Sequence, residues 1–584
     1  MIAEPAAPKR LREGGPWAKA AALAVLVIAV GSLELTRPGY SVDEEFTVFA
    51  VRGIQAHGLP ILPSGLLYDR GIAYSYAAWL AGAVTGSELP AFRAISLLAA
   101  AASVFLTVVL IRRITDNTTA LVASVFVAAS IPFWATATTA RFYAPFLAAY
   151  LLTLMCFTHR HWWLLMIAAA ALARLTHELA FTLAIIPVLC WLLDRGDRRR
   201  WTYAVLSTVA GLVIGQAILL VLHASVPSSG ETMVRRFFLW QVINLFERPG
   251  DRQFGIPLVV MVLGLIVAPR RARTIAVIAL SIAAAILAFS IAQATNTAPL
   301  SLAVVNEVLV AGSRYPLDMF WHIARQSGVL LLVVLGVMFY RAAKTEWPPA
   351  HRAAHALWIG WVLWFGVIES GITTNYLLLP VTFMLIALAI DLVAIGDTSD
   401  DEQAWTSDEE LTWPAMIGVV IVAGMLTGLQ LRTSSLEAAR PTIHVEGIDD
   451  VRAGLQPNDR IACTDELGCL MLVGRIDRWL ALDDYVRERF VVQKTDGSAT
   501  GVYTGVPAAF RPGDLFEANA DGTLPDRVVI VDVFKDYPIG NSRSWVPRAI
   551  EQDGLQVTPL LETPQMRVLS VSPREQVASN QPSR

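Results

Sequence analysis

Three acidic residues in a row, Asp43-Glu44-Glu45, follow Arg37-Pro38-Gly39-Tyr40 just beyond the chain's first apolar run. Carboxylates clustered in this way can bind a metal or take a proton from a hydroxyl nucleophile. The plainer alternative is a solvated loop that starts a helix, where acidic residues suit the first turn. Arg141 lies in Thr139-Ala140-Arg141-Phe142-Tyr143, and Arg314 lies in Ser313-Arg314-Tyr315-Pro316. A planar guanidinium suits phosphate oxygens, so both are candidates for an anionic ligand; the competing role is an interfacial arginine with its head drawn to the headgroups. His177 and Glu178 are adjacent in Arg174-Leu175-Thr176-His177-Glu178 and on a helix would point about 100° apart. His177 could bind an anion, assist proton transfer or ligate a divalent ion, against the simpler role of a histidine bonded to a backbone carbonyl. Glu369, before a late outer turn, is a further carboxylate. Cys463 and Cys469 are spaced too widely for the usual zinc pair and have no second pair, which leaves a local disulfide or free thiols.

The elements that must position these groups are membrane helices. The 584 residues are 55% hydrophobic and 16% charged, against about 25% charged in an ordinary soluble domain. The deficit sits in the first 430 residues. A hydrocarbon core of roughly 30 Å needs about 20 apolar helical residues. By that template the spans are 17–36, 92–111, 118–136, 142–158, 162–173, 179–193, 202–222, 254–269, 274–292, 328–341, 353–370, 376–395 and 413–431. The basic flank Lys9, Arg10, Arg12 and Lys19 reads as the cytoplasmic side of a retained first span rather than a cleaved signal. With the N-terminus inside, the basic clusters Arg112-Arg113, His159-Arg160-His161, Arg195 with Arg198 to Arg200, Arg270 to Arg273, and Arg341 to Arg352 all fall in cytoplasmic loops, as the positive-inside rule asks. Merging the fifth and sixth spans would send the later clusters outside, so the count depends on splitting residues 162–193.

The expected architecture is therefore a polytopic α-helical membrane protein with about thirteen spans and a C-terminal soluble α/β domain. Residues 1–16 form a cytoplasmic tail. The membrane domain is 17–431 with outer loops 37–91, 223–253 and 294–327, and the extracytoplasmic domain is 436–574. Residues 575–584 read as disordered. In the soluble part, β-branched runs at 460–463, 527–531 and 567–571 read as strands, and 446–454 and 542–553 as helices. Parity puts Asp43, Arg141, His177 and the soluble domain on one side.

A short N-terminal helix, a long outer first loop opening with Asp43-Glu44, and many further spans resemble the GT-C glycosyltransferases. The chain is most similar to the branch of the bacterial protein O-mannosyltransferases and the aminoarabinose transferase that modifies lipid A. Thr139-Ala140-Arg141-Phe142-Tyr143 is similar to that family's Glu-Ala-Arg-x-Tyr segment, with Thr139 where an acidic residue is usual. Arg174 to Glu178 stands where members often carry a Thr-His pair. Thr374-Asn375-Tyr376-Leu377-Leu378-Leu379-Pro380 resembles the Arg-Tyr-x-x-x-x-Pro segment, with Asn375 in place of arginine.

The resemblance implies a polyprenyl-phosphate sugar donor, with Asp43 and Glu44 as the catalytic carboxylates. With such a donor, Arg141, Tyr143, His177 and Arg314 are the candidates for its phosphate, and Glu178, Glu369, Asn375 and Tyr376 for an acceptor or secondary site. The expected activity is transfer of a sugar to a lipid, glycan or protein acceptor on the outer face of a bacterial inner membrane. No cofactor is required by this reading, although a divalent metal ion could serve. No basic tract suggests nucleic acid. Two other classes compete. A transporter or lipid flippase would show inverted repeats and midplane ionisable residues, whereas the polar groups here gather at the outer ends of the spans. A non-catalytic scaffold would make Asp43 to Glu45 dispensable.

Overall fold

The computed structural model describes residues 15–41, 43–193, 198–226, 260–265, 272–295, 333–338, 349–367, 376–396 and, but for short gaps, 442–573. The described residues divide into two compact units, one within 1–36, 90–219 and 236–440, the other within 37–89, 220–235 and 441–584.

The first unit is helical: α1 (Gly15–Ser32), α4 (Leu89–Ile114), α5 (Asn117–Ala128), α6 (Ile131–Ala137), α7 (Tyr143–Cys156), α8 (Trp163–Thr176), α9 (Thr182–Leu193), α10 (Arg198–Ala224), α11 (Ala272–Thr295), α12 (Pro349–Val367) and α13 (Leu378–Gly396). Helices α2 and α3 belong to the second unit. Among the described residues, α4 and α10 are each long and apolar enough to cross a membrane, and the bent α5–α6 pair makes a third. The thirteen expected spans thus have two or three full-length representatives. Shorter apolar helices occupy several other expected positions, and 413–431 lies outside the described residues.

Two local breaks matter for the site. Between α5 and α6 the axis bends by 66°. Pro132 sits in the first turn of α6, where a residue without an N–H is tolerated and the preceding helix cannot continue through it. At the other break, α8 stops at His177, whose backbone is extended (φ −155°, ψ 144°), and a 3-10 turn Glu178–Phe181 leads into α9. The division of 162–193 into two helices therefore falls at His177.

Close packing of α10 on α8 follows from glycine. A Cβ on Gly211 would lie 2.4 Å from the Ile167 carbonyl oxygen, and one on Gly215 would lie 2.9 Å from the Arg174 Cβ. Small residues one turn apart let two backbones approach in this way. Helix α13 is buried along nearly its whole length and packs against α12 and α5. Between α12 and α13, the Trp358 indole N–H donates to His355 Nδ1 (2.9 Å), and His355 Nε2 lies 2.9 Å from Asp391 Oδ2.

The second unit holds α2 (Glu44–His57), α3 (Ile72–Thr85) and a six-stranded mixed sheet. Its strands are β3 (Asp459–Cys463), β4 (Arg478–Leu480), β7 (Ala508–Ala509), β8 (Arg527–Val533), β9 (Leu555–Glu562) and β10 (Met566–Pro573), in the order β9-β10-β8-β3-β4-β7. The three expected strands lie inside β3, β8 and β10, and the expected helices correspond to α14 (Ile448–Gly454) and α16 (Ser542–Gln552), with α15 (Glu466–Val473) between them. A small hairpin of β5 (Val491–Gln493) and β6 (Ala499–Gly501) stands beside the sheet. Strands β3 and β8 are almost wholly buried because helices cover both faces, as continuous apolar strands require.

Residues 37–91 are expected as an outer loop of the membrane domain. In the structure 37–89 share a compact unit with the C-terminal residues. Strand β1 (Tyr40–Ser41) pairs antiparallel with β2 (Thr442–Ile443), and Tyr40 and Leu89 pack into the core that holds Ile461, Cys463, Trp479 and Val568. Cys463 and Cys469 are joined by a disulfide, with their Cα atoms 6.1 Å apart.

Candidate functional site

In the first unit, the chain between α6 and α7 is tied down before it presents any side chain. The Thr138 hydroxyl donates to the Trp134 carbonyl (3.0 Å) and that of Thr139 to the Ala135 carbonyl. The Arg141 amide donates to Thr139 O (2.7 Å), and Ser96 of α4 donates to Arg141 O (2.9 Å). Thr139 therefore uses its hydroxyl to close the preceding turn and brings no carboxylate.

Arg141 is 3% exposed, with its guanidinium carbon 4.7 Å from the Phe142 ring centroid and 5.9 Å from that of Tyr143. The His177 imidazole lies 5.2 Å from Phe142, 5.9 Å from Tyr143 and 5.0 Å from Phe146, nearly parallel to the last. Tyr376 stands edge-on to Tyr143 at 5.7 Å and lies 6.2 Å from His177. Four residues singled out in sequence, Arg141, Tyr143, His177 and Tyr376, thus meet in one aromatic cluster. His177 Nδ1 accepts the Leu179 amide at 3.0 Å, so the neutral ring carries its proton on Nε2 and offers a donor there. A buried guanidinium and an imidazole N–H among aromatic rings are groups chemically suited to an anion, because low dielectric strengthens each charge-assisted bond. Glu178 opens the adjoining 3-10 turn and is part-exposed. Arg314, Glu369 and Asn375 lie outside the described residues.

Two further arginines, Arg93 and Arg174, are buried in the first unit and have no role in the sequence-based expectations. Arg174 donates through Nε and Nη2 to Gln216 Oε1 (3.0 and 2.7 Å), a reach that the glycine-mediated approach of α10 permits. Arg93 is 1% exposed and donates to the Leu35 carbonyl at 3.2 Å. Their signal was available: ionisable residues within apolar spans tend to mark function.

In the second unit, Asp43 is the N-terminal cap residue of α2 and adopts φ 75°, ψ −7°. Among the described residues it is the only non-glycine with positive φ. That region is costly for a residue with a Cβ, and such outliers gather at functional sites. The turn is held by Glu44, which is fully buried: the Ser41 amide donates to Glu44 Oε2 (2.7 Å), and Arg37 Nη2 lies 3.6 Å from Glu44 Oε1 and donates to Ser41 Oγ (2.7 Å). Glu45 is also fully buried. Asp43 is partly exposed. The acidic triplet therefore divides by environment: Glu44 closes the turn, and Asp43 is the carboxylate displayed. Among the described residues no three His, Cys, Asp or Glu side chains form a metal-ligand group.

Comparison with known proteins adds the following. Residues 69–223 match the family described as dolichyl-phosphate-mannose-protein mannosyltransferase. The matched segment contains two of the motifs on which the resemblance to the GT-C glycosyltransferases was drawn, Thr139 to Tyr143 and Arg174 to Glu178. The chain is similar to the crystal structure of ArnT from Cupriavidus metallidurans bound to undecaprenyl phosphate, with a TM-score of 0.44 and 14% identity over 96% of this chain and 98% of that one. It is also similar to the oligosaccharyltransferase from Archaeoglobus fulgidus in complex with zinc and sulfate, with a TM-score of 0.45 and 12% identity over 92% of this chain and 71% of that one. No curated protein matches the chain.

Proposed function

On the premise that residues 69–223 are those of a GT-C glycosyltransferase, we propose that the chain transfers a sugar from a polyprenyl-phosphate donor to an acceptor hydroxyl on a lipid, glycan or protein. The reaction takes place at the outer face of a bacterial inner membrane, in a thirteen-span protein with its N-terminus in the cytoplasm and its second unit outside. The observation that carries the reading is the convergence of the buried Arg141, Tyr143 and His177 with the half-buried Tyr376 in one cluster. The description of the matched family, which names dolichyl-phosphate mannose, a lipid-phosphate sugar, supports the donor class.

The chemistry is a single displacement with inversion. Asp43 takes the proton from the acceptor hydroxyl as its oxygen attacks the anomeric carbon. The bond from that carbon to the phosphate oxygen breaks, and the polyprenyl phosphate leaves with the electron pair. Arg141, with His177 Nε2–H beside it, stabilises the negative charge developing on the phosphate. Tyr143 frames that guanidinium, and Arg314 adds a second cation. Glu44 supports Asp43 by fixing its turn. Glu178, Glu369, Asn375 and Tyr376 are assigned to the acceptor side or a secondary site.

Purified protein supplied with a radiolabelled polyprenyl-phosphate sugar tests the reading, with EDTA-treated and untreated samples compared for a divalent-ion requirement. Transfer that depends on Arg141 and Asp43 supports it. Substrate-dependent ion or lipid flux without transfer by any donor would favour a transporter instead.

A further inference from the structure

Within the second unit, the turn that carries Tyr503 packs against α2, the helix that Asp43 caps. Phe46, three residues beyond Asp43, meets the Tyr503 ring edge-on at 4.7 Å and stacks on Tyr68 at 5.6 Å. The Ser64 amide donates to the Tyr503 carbonyl at 3.1 Å. Tyr503 is half-buried, its phenol within reach of the charges of Arg70, Glu466 and Asp43, and desolvation pushes it above its ordinary pKa.

The turn carrying Tyr503 is itself clamped. Glu466 accepts from the Thr504 amide at 2.8 Å and from the Thr504 hydroxyl. A Cβ on Gly501 would lie 2.4 Å from Glu466 Oε2, so only glycine lets the carboxylate come this close. Glu466 lies in the short loop closed by the Cys463–Cys469 disulfide. A continuous chain of contacts therefore runs from the disulfide through Glu466, Thr504 and Tyr503 to Phe46 and the Asp43 turn.

We propose that Tyr503 is a positioning residue for Asp43, its ring wedged against Phe46 so that the C-terminal domain sets the aim of the catalytic carboxylate. The inference rests on the assignment of Asp43 as the base. A displacement of about 1 Å in a reacting group can cost up to about a hundredfold in rate, so loss of the wedge acts on turnover. Donor binding, assigned to Arg141 and His177, is untouched.

The test measures kcat and donor KM for the full-length protein carrying Tyr503→Ala, Tyr503→Phe or Asp43→Asn, each checked for monodispersity and unfolding temperature. Tyr503→Ala is expected to lower kcat about tenfold or more with donor KM unchanged, and Tyr503→Phe, which keeps the ring, to restore most of it. Thr504→Val, which loosens the clamp, gives a second route to the same loss of kcat if Tyr503→Ala does not fold. Loss of activity in Asp43→Asn, with Tyr503→Ala and Thr504→Val at wild-type kcat, would overturn the positioning role while leaving the base intact. Full activity in Asp43→Asn would instead remove the base assignment on which the inference stands.

Discussion

The Ser41 amide donates to the Glu44 carboxylate at 2.7 Å across the turn that holds Asp43 at φ 75°. Because Glu44 is fully buried beside Arg37, its removal takes away the acceptor of the Ser41 amide and the carboxylate 3.6 Å from the Arg37 guanidinium. Glu44→Ala is expected to destabilise the second unit by about 3 kcal/mol. It should also lower transfer about tenfold or more, although Asp43 itself is unchanged. Thermal unfolding in detergent and initial transfer rates on the same preparation check both parts; an unchanged unfolding temperature would contradict the closing role.

Arg141 sits over Phe142 and Tyr143, where a flat guanidinium can stack and still present a bidentate fork, which an ammonium lacks. Arg141→Lys is therefore expected to behave almost as poorly as Arg141→Ala, with donor KM raised about tenfold, equivalent to about 1.4 kcal/mol. Steady-state kinetics against donor concentration decide the matter. A lysine variant with wild-type KM would show that charge alone suffices.

Burial raises the Glu466 carboxyl from its ordinary 4.5 to about 7, an effect opposed by the Thr504 bonds and assisted by Asp465. The folded protein then holds this proton up to about pH 7, whereas the unfolded chain releases it near 4.5. Between those values the folded state binds more protons, so this group's contribution to stability falls as pH rises from 4.5 to 7 and is flat above. The change is at most about 3 kcal/mol. Glu466→Gln, permanently neutral, should flatten the profile across that window. Unfolding followed at several pH values would contradict this if the variant and the wild type kept the same slope.

Gly211 faces the Ile167 carbonyl oxygen with no room for a Cβ. Gly211→Val should push α10 off α8, costing about 1–3 kcal/mol, and should loosen Gln216 from Arg174. A lower unfolding temperature with weaker donor binding is the expected pair of readouts. Wild-type stability would mean that the helices can separate freely.

Much of this was legible in sequence because its signals are local. The strands β3, β8 and β10 were visible as β-branched runs, and the break at His177 lay where charge parity demanded a division. The Asp43 triplet and the Thr139 to Tyr143 motif stood out by residue type alone, and the structure shows them as a positive-φ helix cap and a buried arginine beside two aromatic rings. The rest depends on tertiary structure. No local pattern tells that Tyr40 pairs with Ile443, some four hundred residues away, or that the first loop completes the C-terminal core. The division of labour between Asp43 and Glu44 is equally hidden, since two adjacent carboxylates are distinguished only by what buries them. Tyr503 and Glu466 carry no motif and acquire meaning through Phe46 and Thr504.

The central claim is that Asp43 serves as the base for sugar transfer from a polyprenyl phosphate. The most direct measurement is transfer of a radiolabelled sugar from that donor by purified wild-type protein and by folded Asp43→Asn, a nearly isosteric change that also tolerates positive φ. A loss of about a hundredfold or more in kcat, with donor KM retained, is predicted. Full transfer by the folded variant would contradict the account.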